Sequence, residues 1–191
     1  MILRFAGISD SAEILKIYEQ YMDTAITFEY ELPSIEEFTE RVRTISAEYP
    51  YIVCEDNGRV VGYAYAHRYR ERTAYQWGAE LSIYIDKSYT SKGLGRKLYG
   101  ALTEILKLQN VRTVYGCVTV PNEKSEKLHL GMGFRYAGKL NNAGYKNGAW
   151  HDVAWFEKDI LPYADNPEEI VTIGSADMAK ALEILKEYCR Y

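Results

Sequence analysis

The stretch AELSIYIDKSYTSKGLGRKLYG, residues 79–100, decides how the rest of the chain is read. Its first half has a period of two: Glu80, Ser82 and Tyr84 point one way, Leu81, Ile83 and Ile85 the other. That is a strand. Its second half passes through Gly93 and Gly95 into a helical pattern that runs to about Gln109. A strand that turns directly into a helix through glycines offers free backbone N–H groups and a helix dipole to an anion such as pyrophosphate. Lys92, Arg96 and Lys97 add positive charge. The third glycine of a dinucleotide fingerprint is missing, and no Gly-Lys-Ser/Thr of a P-loop follows. A solvated basic turn is the plain alternative.

Upstream, residues 1–5 read as a short strand. Ser9 or Asp10 caps a helix whose apolar stripe is Ile14, Leu15, Ile17, Tyr18, Tyr21 and Met22. Ser34 and Glu37 form a capping box for a helix to about Glu48. Strands at 51–55 and 59–67 meet at Asn57-Gly58, a hairpin signal. Downstream come a strand at 113–120, a break at Pro121-Asn122 and a helix to about Met132. Two strands near 134–146 and 150–159 follow, joined at Asn147-Gly148. The order β-α-α-β-β-β-α-β-α-β-β predicts one α/β (α+β) domain around a mixed sheet, residues 1–163. Residues 164–191 are expected to be a linker and an extra C-terminal helix, packed on the domain or on a partner subunit. That helix is expected over 175–191, with Met178, Ala181, Leu182, Leu185 and Tyr188 as its apolar face.

The chain has 191 residues, 47% of them hydrophobic and 26% charged, as in a soluble globular protein. A formal net charge of −4 argues against nonspecific nucleic-acid binding, which needs a basic face. It equally gives no support for attachment to an anionic membrane. Neither a signal segment nor a spanning segment is expected. Cys54, Cys117 and Cys189 show no metal or disulfide spacing, so no metal is expected and a reducing cytoplasm is the natural setting.

Four places carry chemistry or a simpler role. The turn around Gly93 is one. Asn122 either caps its helix or meets a ligand, and His129, seven residues on, is either structural or catalytic. Glu80 lies in an otherwise apolar strand: buried, its pKa would rise toward that of a general base; outward-facing, it would do nothing. Arg70-Glu71-Arg72 is either a surface cluster or a carboxylate clamp.

Taken together, TAITFE (24–29), YAYA (63–66), RERTAYQW (70–77), AELSIYI (79–85), SKGLGRKLY (91–99), VPNEKSEKLHLGMGF (120–134) and GYKNGAWHDVAWFEKDI (144–160) resemble the GNAT superfamily of N-acetyltransferases. Within it they resemble the phosphinothricin acetyltransferase-like group. The resemblance covers roughly residues 2–160. It implies transfer of an acetyl group from acetyl-CoA to the primary amine of a small amino-acid-like acceptor. The strands of Ile83 and Val118 are expected to splay and admit the pantetheine arm, which bonds near Ile83, Tyr84 and Ile85. The pyrophosphate is expected on the amides of Ser91, Lys92, Gly93, Leu94, Gly95 and Arg96, with Asn122 also touching the cofactor. Glu80 matches the group's general base, and His129 stands where most of the superfamily has Tyr. Phe28, Arg70, Arg72, Thr73 and Tyr75 match acceptor-lining segments. The hairpin at 144–152 resembles one used in family homodimers. Thr90 departs from the family's usual Arg or Gln, and the tail beyond about 165 has no counterpart in the match. Rival readings are acetylation of a protein N-terminus or lysine, acetylation of a polyamine, and a non-catalytic acyl-CoA-binding module.

Overall fold

The computed structural model describes residues 1–190. Its strands are β1 (Ile2–Phe5), β2 (Tyr51–Asp56), β3 (Arg59–Arg68), β4 (Gly78–Ile85), β5 (Thr113–Val120), β6 (Arg135–Lys146) and β7 (Ala149–Asp159). They form a single sheet in the order β1-β2-β3-β4-β5-β7-β6. Its α-helices are α1 (Ser11–Glu19), α2 (Ile35–Glu48), α3 (Leu94–Lys107), α4 (Glu123–Gly131) and α5 (Met178–Cys189).

Local chemistry sets the boundaries. Ser34 accepts from the Glu37 N–H while Glu37 reaches back to the Ser34 N–H, a complete capping box. Both hairpin tips use Asn-Gly with positive φ at each residue, the turn whose twist matches paired strands. Gly93 caps α3 at φ +81°, a conformation that costs glycine nothing. The expected first helix extends too far: α1 ends at Glu19, and Tyr21 and Met22 reach the core from a turn instead.

The sheet is covered on both faces. Leu98, Leu102, Ile105 and Leu106 of α3 pack on one face with Ala64, Leu81, Val114 and Val118. Ile173, Ala181, Ile184 and Leu185 of the C-terminal segment join this same core, with α5 against α3 and β1. On the other face, α1 and α2 close over Val53, Tyr51 and Tyr63. The expected face of the last helix is corrected: Ile184 is buried, whereas Met178 and Leu182 are exposed. The helix ends at Cys189; the expected extension to Tyr191 lies outside the described residues.

β4 and β5 are the parallel pair, and they pair only from Gly78–Leu81 against Thr113–Gly116. Beyond that point β4 stays with β3 and β5 stays with β7. Ser82 to Ile85 and Cys117 to Val120 therefore face a gap.

Candidate active site

The gap is the site. A cleft of about 80 Å³ is lined there by Glu80, Ser82, Ile83, Tyr84, Cys117, Val118, Asn122 and His129, with Ile26 from the α1–α2 connection and Tyr99 from α3.

Glu80 and His129 approach it from opposite faces of the sheet. Glu80 is in register with His67 on β3 and Tyr115 on β5, on the α1–α2 side. Its side chain is mostly buried. Burial raises its pKa above the usual carboxylate value, opposed by the charges of His67 and Arg70. His67 Nε2 lies 3.9 Å from Glu80 Oε1.

His129 lies on the α3–α4 side, over Gly116, whose neighbours Val114 and Val118 belong to the α3 core. A Cβ at Gly116 would stand 2.2 Å from His129 Nε2, so only glycine leaves room for the ring. The imidazole is 2% exposed. Its Nδ1 donates to the Ser125 carbonyl at 2.8 Å, which fixes the proton there. Nε2 is thus a bare acceptor, buried and without a hydrogen-bond partner. Burial lowers the imidazole pKa and keeps it neutral. Desolvation raises the Cys117 thiol to about 12, with Glu80's charge adding to it.

Asn122 does cap α4, its Oδ1 accepting from Ser125 N–H at 3.2 Å, and it also lines the cleft. The segment ahead of α3 keeps Ser91 at φ +63° and Gly93 at φ +81°. The N–H groups of Leu94 and Gly95 have no carbonyl one turn back to bond, whereas that of Arg96 already bonds the Gly93 carbonyl at 3.1 Å. Lys92 lies over the Tyr89 ring. Arg96 turns away from the segment and donates to the Gly131 carbonyl at 2.7 Å, tying α3 to α4.

The expected acceptor residues are dispersed. Arg70, Arg72 and Thr73 line a recess of about 410 Å³ with Glu48, Tyr49 and the C-terminal segment 170–172. Arg70's charge still reaches Glu80. Tyr75 lines a second, aromatic recess with Tyr69, Trp77, Tyr115 and Tyr163. Phe28 packs on Gly144, where a Cβ would stand 2.4 Å from its ring, and beside His151. Ile26 of the cleft was not singled out from sequence; only its place in TAITFE, two residues before Phe28, pointed to it. Among the described residues no group of His, Cys, Asp and Glu is arranged to hold a metal ion, and no helix is long and apolar enough to cross a membrane.

Residues 3–155 match the sequence profile of the Acetyltransferase (GNAT) domain. A phosphinothricin N-acetyltransferase of Streptomyces viridochromogenes is 33% identical over 89% of this chain and 94% of its own. An L-methionine sulfoximine/L-methionine sulfone acetyltransferase of Salmonella typhimurium is 28% identical over 86% of this chain and 97% of its own. Among solved structures, a phosphinothricin acetyltransferase from Sinorhizobium meliloti in complex with AcCoA superposes with a TM-score of 0.85 and 32% identity, covering 91% of this chain and 96% of that one.

Proposed function

The chain belongs to the GNAT acetyltransferase family, and from that premise we propose that it acetylates the amine of a small amino acid by direct transfer, with Glu80 as general base. It is an acetyl-CoA-dependent N-acetyltransferase. The observation that carries the finer reading is the gap between β4 and β5, with a carboxylate of raised pKa on one face and a bare imidazole nitrogen on the other.

The unpaired backbone of β4 and β5 fits an extended pantetheine arm, and the turn at Ser91 to Gly95 fits a pyrophosphate. Acetyl-CoA supplies the activated acetyl group. The amine enters from the Glu80 side and loses its proton to that carboxylate, directly or through a water. A backbone N–H near Ile83 meets the oxyanion. His129 begins as an acceptor, because its one proton is committed to Ser125. It must take up a proton before it can give one to the departing thiolate, which favours a relay over a resting acid. The raised pKa of Cys117 disfavours a thiolate nucleophile near neutral pH.

Homologues acting on phosphinothricin and on methionine sulfoximine and sulfone support acceptors of that type. Arg70, whose charge is felt at Glu80, is a better partner for the acceptor carboxylate than Arg72. We assign a homodimer through the β6–β7 hairpin, which exposes Leu140, Tyr145 and Trp150, the last 63% exposed. The three unpaired thiols fit a reducing cytoplasm.

Steady-state kinetics with acetyl-CoA test the reading across phosphinothricin, methionine sulfoximine, methionine sulfone, ordinary amino acids, polyamines and peptides. The first three are expected to be turned over with the highest kcat/KM. Preference for polyamines or peptides would sink the acceptor assignment, and acetyl-CoA binding without turnover of any amine would sink the catalytic one.

A further inference from the structure

Lys146, at the end of β6, is 3% exposed, yet among the described residues no carboxylate pairs with it. Its ammonium donates to two backbone carbonyls, Met22 at 2.7 Å and Thr27 at 2.8 Å. Burial pulls its pKa down against the more distant charges of Asp23 and Glu29. A buried cation held by carbonyls alone is costly, and an apolar side chain of similar length would fill the space more cheaply. What the ammonium supplies is convergence: it draws both ends of the turn 22–27 to one point.

Other contacts reinforce the strap. Asn147 Nδ2 donates to the Asp23 carbonyl at 3.0 Å, and Tyr30 Oη donates to the Tyr145 carbonyl. Phe28 closes on Gly144. Between the two carbonyls that Lys146 gathers lies Ile26, which lines the cleft of Glu80.

We infer that Lys146 is a positioning residue for acceptor recognition: by gathering the Met22 and Thr27 carbonyls it fixes the turn that presents Ile26 to the cleft. The inference rests on the acetyl-transfer reading of that cleft. It makes the β6–β7 hairpin part of the acceptor site, although no side chain of the hairpin lines the cleft.

The test is Lys146→Met, which keeps the length and removes the donors. The acceptor KM is expected to rise roughly ten- to a hundredfold, as for a displaced binding wall, with the acetyl-CoA KM nearly unchanged. Hydrogen exchange is expected to speed up at residues 22–28 and stay the same in α3. In an Ile26→Ala background the same change is expected to add little, because both act on one wall. Unchanged acceptor KM, an equal rise for both substrates, or full additivity with Ile26→Ala would each overturn the inference. Should Lys146→Met not fold, Asn147→Gly at the exposed tip, which suits the positive φ and removes the side-chain donor, reads the same strap. Faster exchange at 22–28 with raised acceptor KM supports the inference; no change in either overturns it. An enzyme that acetylates no amine overturns the functional reading and this inference with it. An active enzyme indifferent to Lys146 overturns this inference alone.

Discussion

Glu80 works as a base only when ionised, and its pKa is raised by burial. The acid limb of kcat/KM is therefore expected above the ordinary carboxylate range, with activity rising as pH climbs through the raised value. Glu80→Gln keeps the shape and removes the acceptor. It is expected to lower kcat by about 100- to 10,000-fold and to abolish that limb, with acetyl-CoA affinity unchanged. Wild-type turnover in this variant would pass the role to His129 or to a water. Gly116 offers a second test. Its φ is not in the left-handed region, so alanine suits the backbone, but the new methyl meets His129 Nε2. Gly116→Ala is expected to displace the imidazole and lower kcat at least about tenfold in a folded protein. Full activity would show that the imidazole's position does not matter.

The elements that hold these residues were largely legible. The two-residue alternation around Glu80, the capping box at Ser34 and the Asn-Gly turns are local signals, and the structure keeps each of them. The errors arose where several placements satisfy the same local rule. Residues 178–188 carry two overlapping apolar stripes of helical period, and only the shape of α3 selects the one through Ile184. Tyr21 and Met22 continue the stripe of α1, but burial does not require them to be helical. Apart from these elements, Arg70 and Arg72 share one recess with the C-terminal segment. No local pattern carries that information. At the N-terminus of α3 a charge test follows. Gly95→Asp would press on Leu128, 3.1 Å from the new Cβ, and so confuse packing with charge. Ser91 is exposed and already at positive φ, which Asp tolerates. Ser91→Asp is expected to weaken acetyl-CoA binding by roughly tenfold, about 1–2 kcal/mol, by repelling the pyrophosphate. Calorimetry with no change in affinity would move the pyrophosphate elsewhere.

At the scale of the whole molecule, α5 is part of the core. Leu185 is 1% exposed, and the Tyr188 ring covers Gly100 of α3, where a Cβ would stand 2.3 Å from it. Leu185→Ala is expected to cost about 2–5 kcal/mol in urea unfolding, as for other large-to-small changes in a packed interior. A loss below about 1 kcal/mol would mean that the helix is an accessory rather than a wall.

The packing of α5 also brings the first strand beside the last helix. The N–H of Leu3 donates to Sγ of Cys189 at 2.9 Å, across 186 positions of sequence. A peptide link from the end of α5 back to the start of β1 would join these elements into a ring with little disturbance of the native arrangement. The unfolded state would lose the loop-closure entropy of a ring of that size, about 5 kcal/mol on the chain-entropy account. New ends could then be cut at the exposed Asn57-Gly58 tip. Strand β3 would become the first element of a permuted acetyltransferase, and β2 the last.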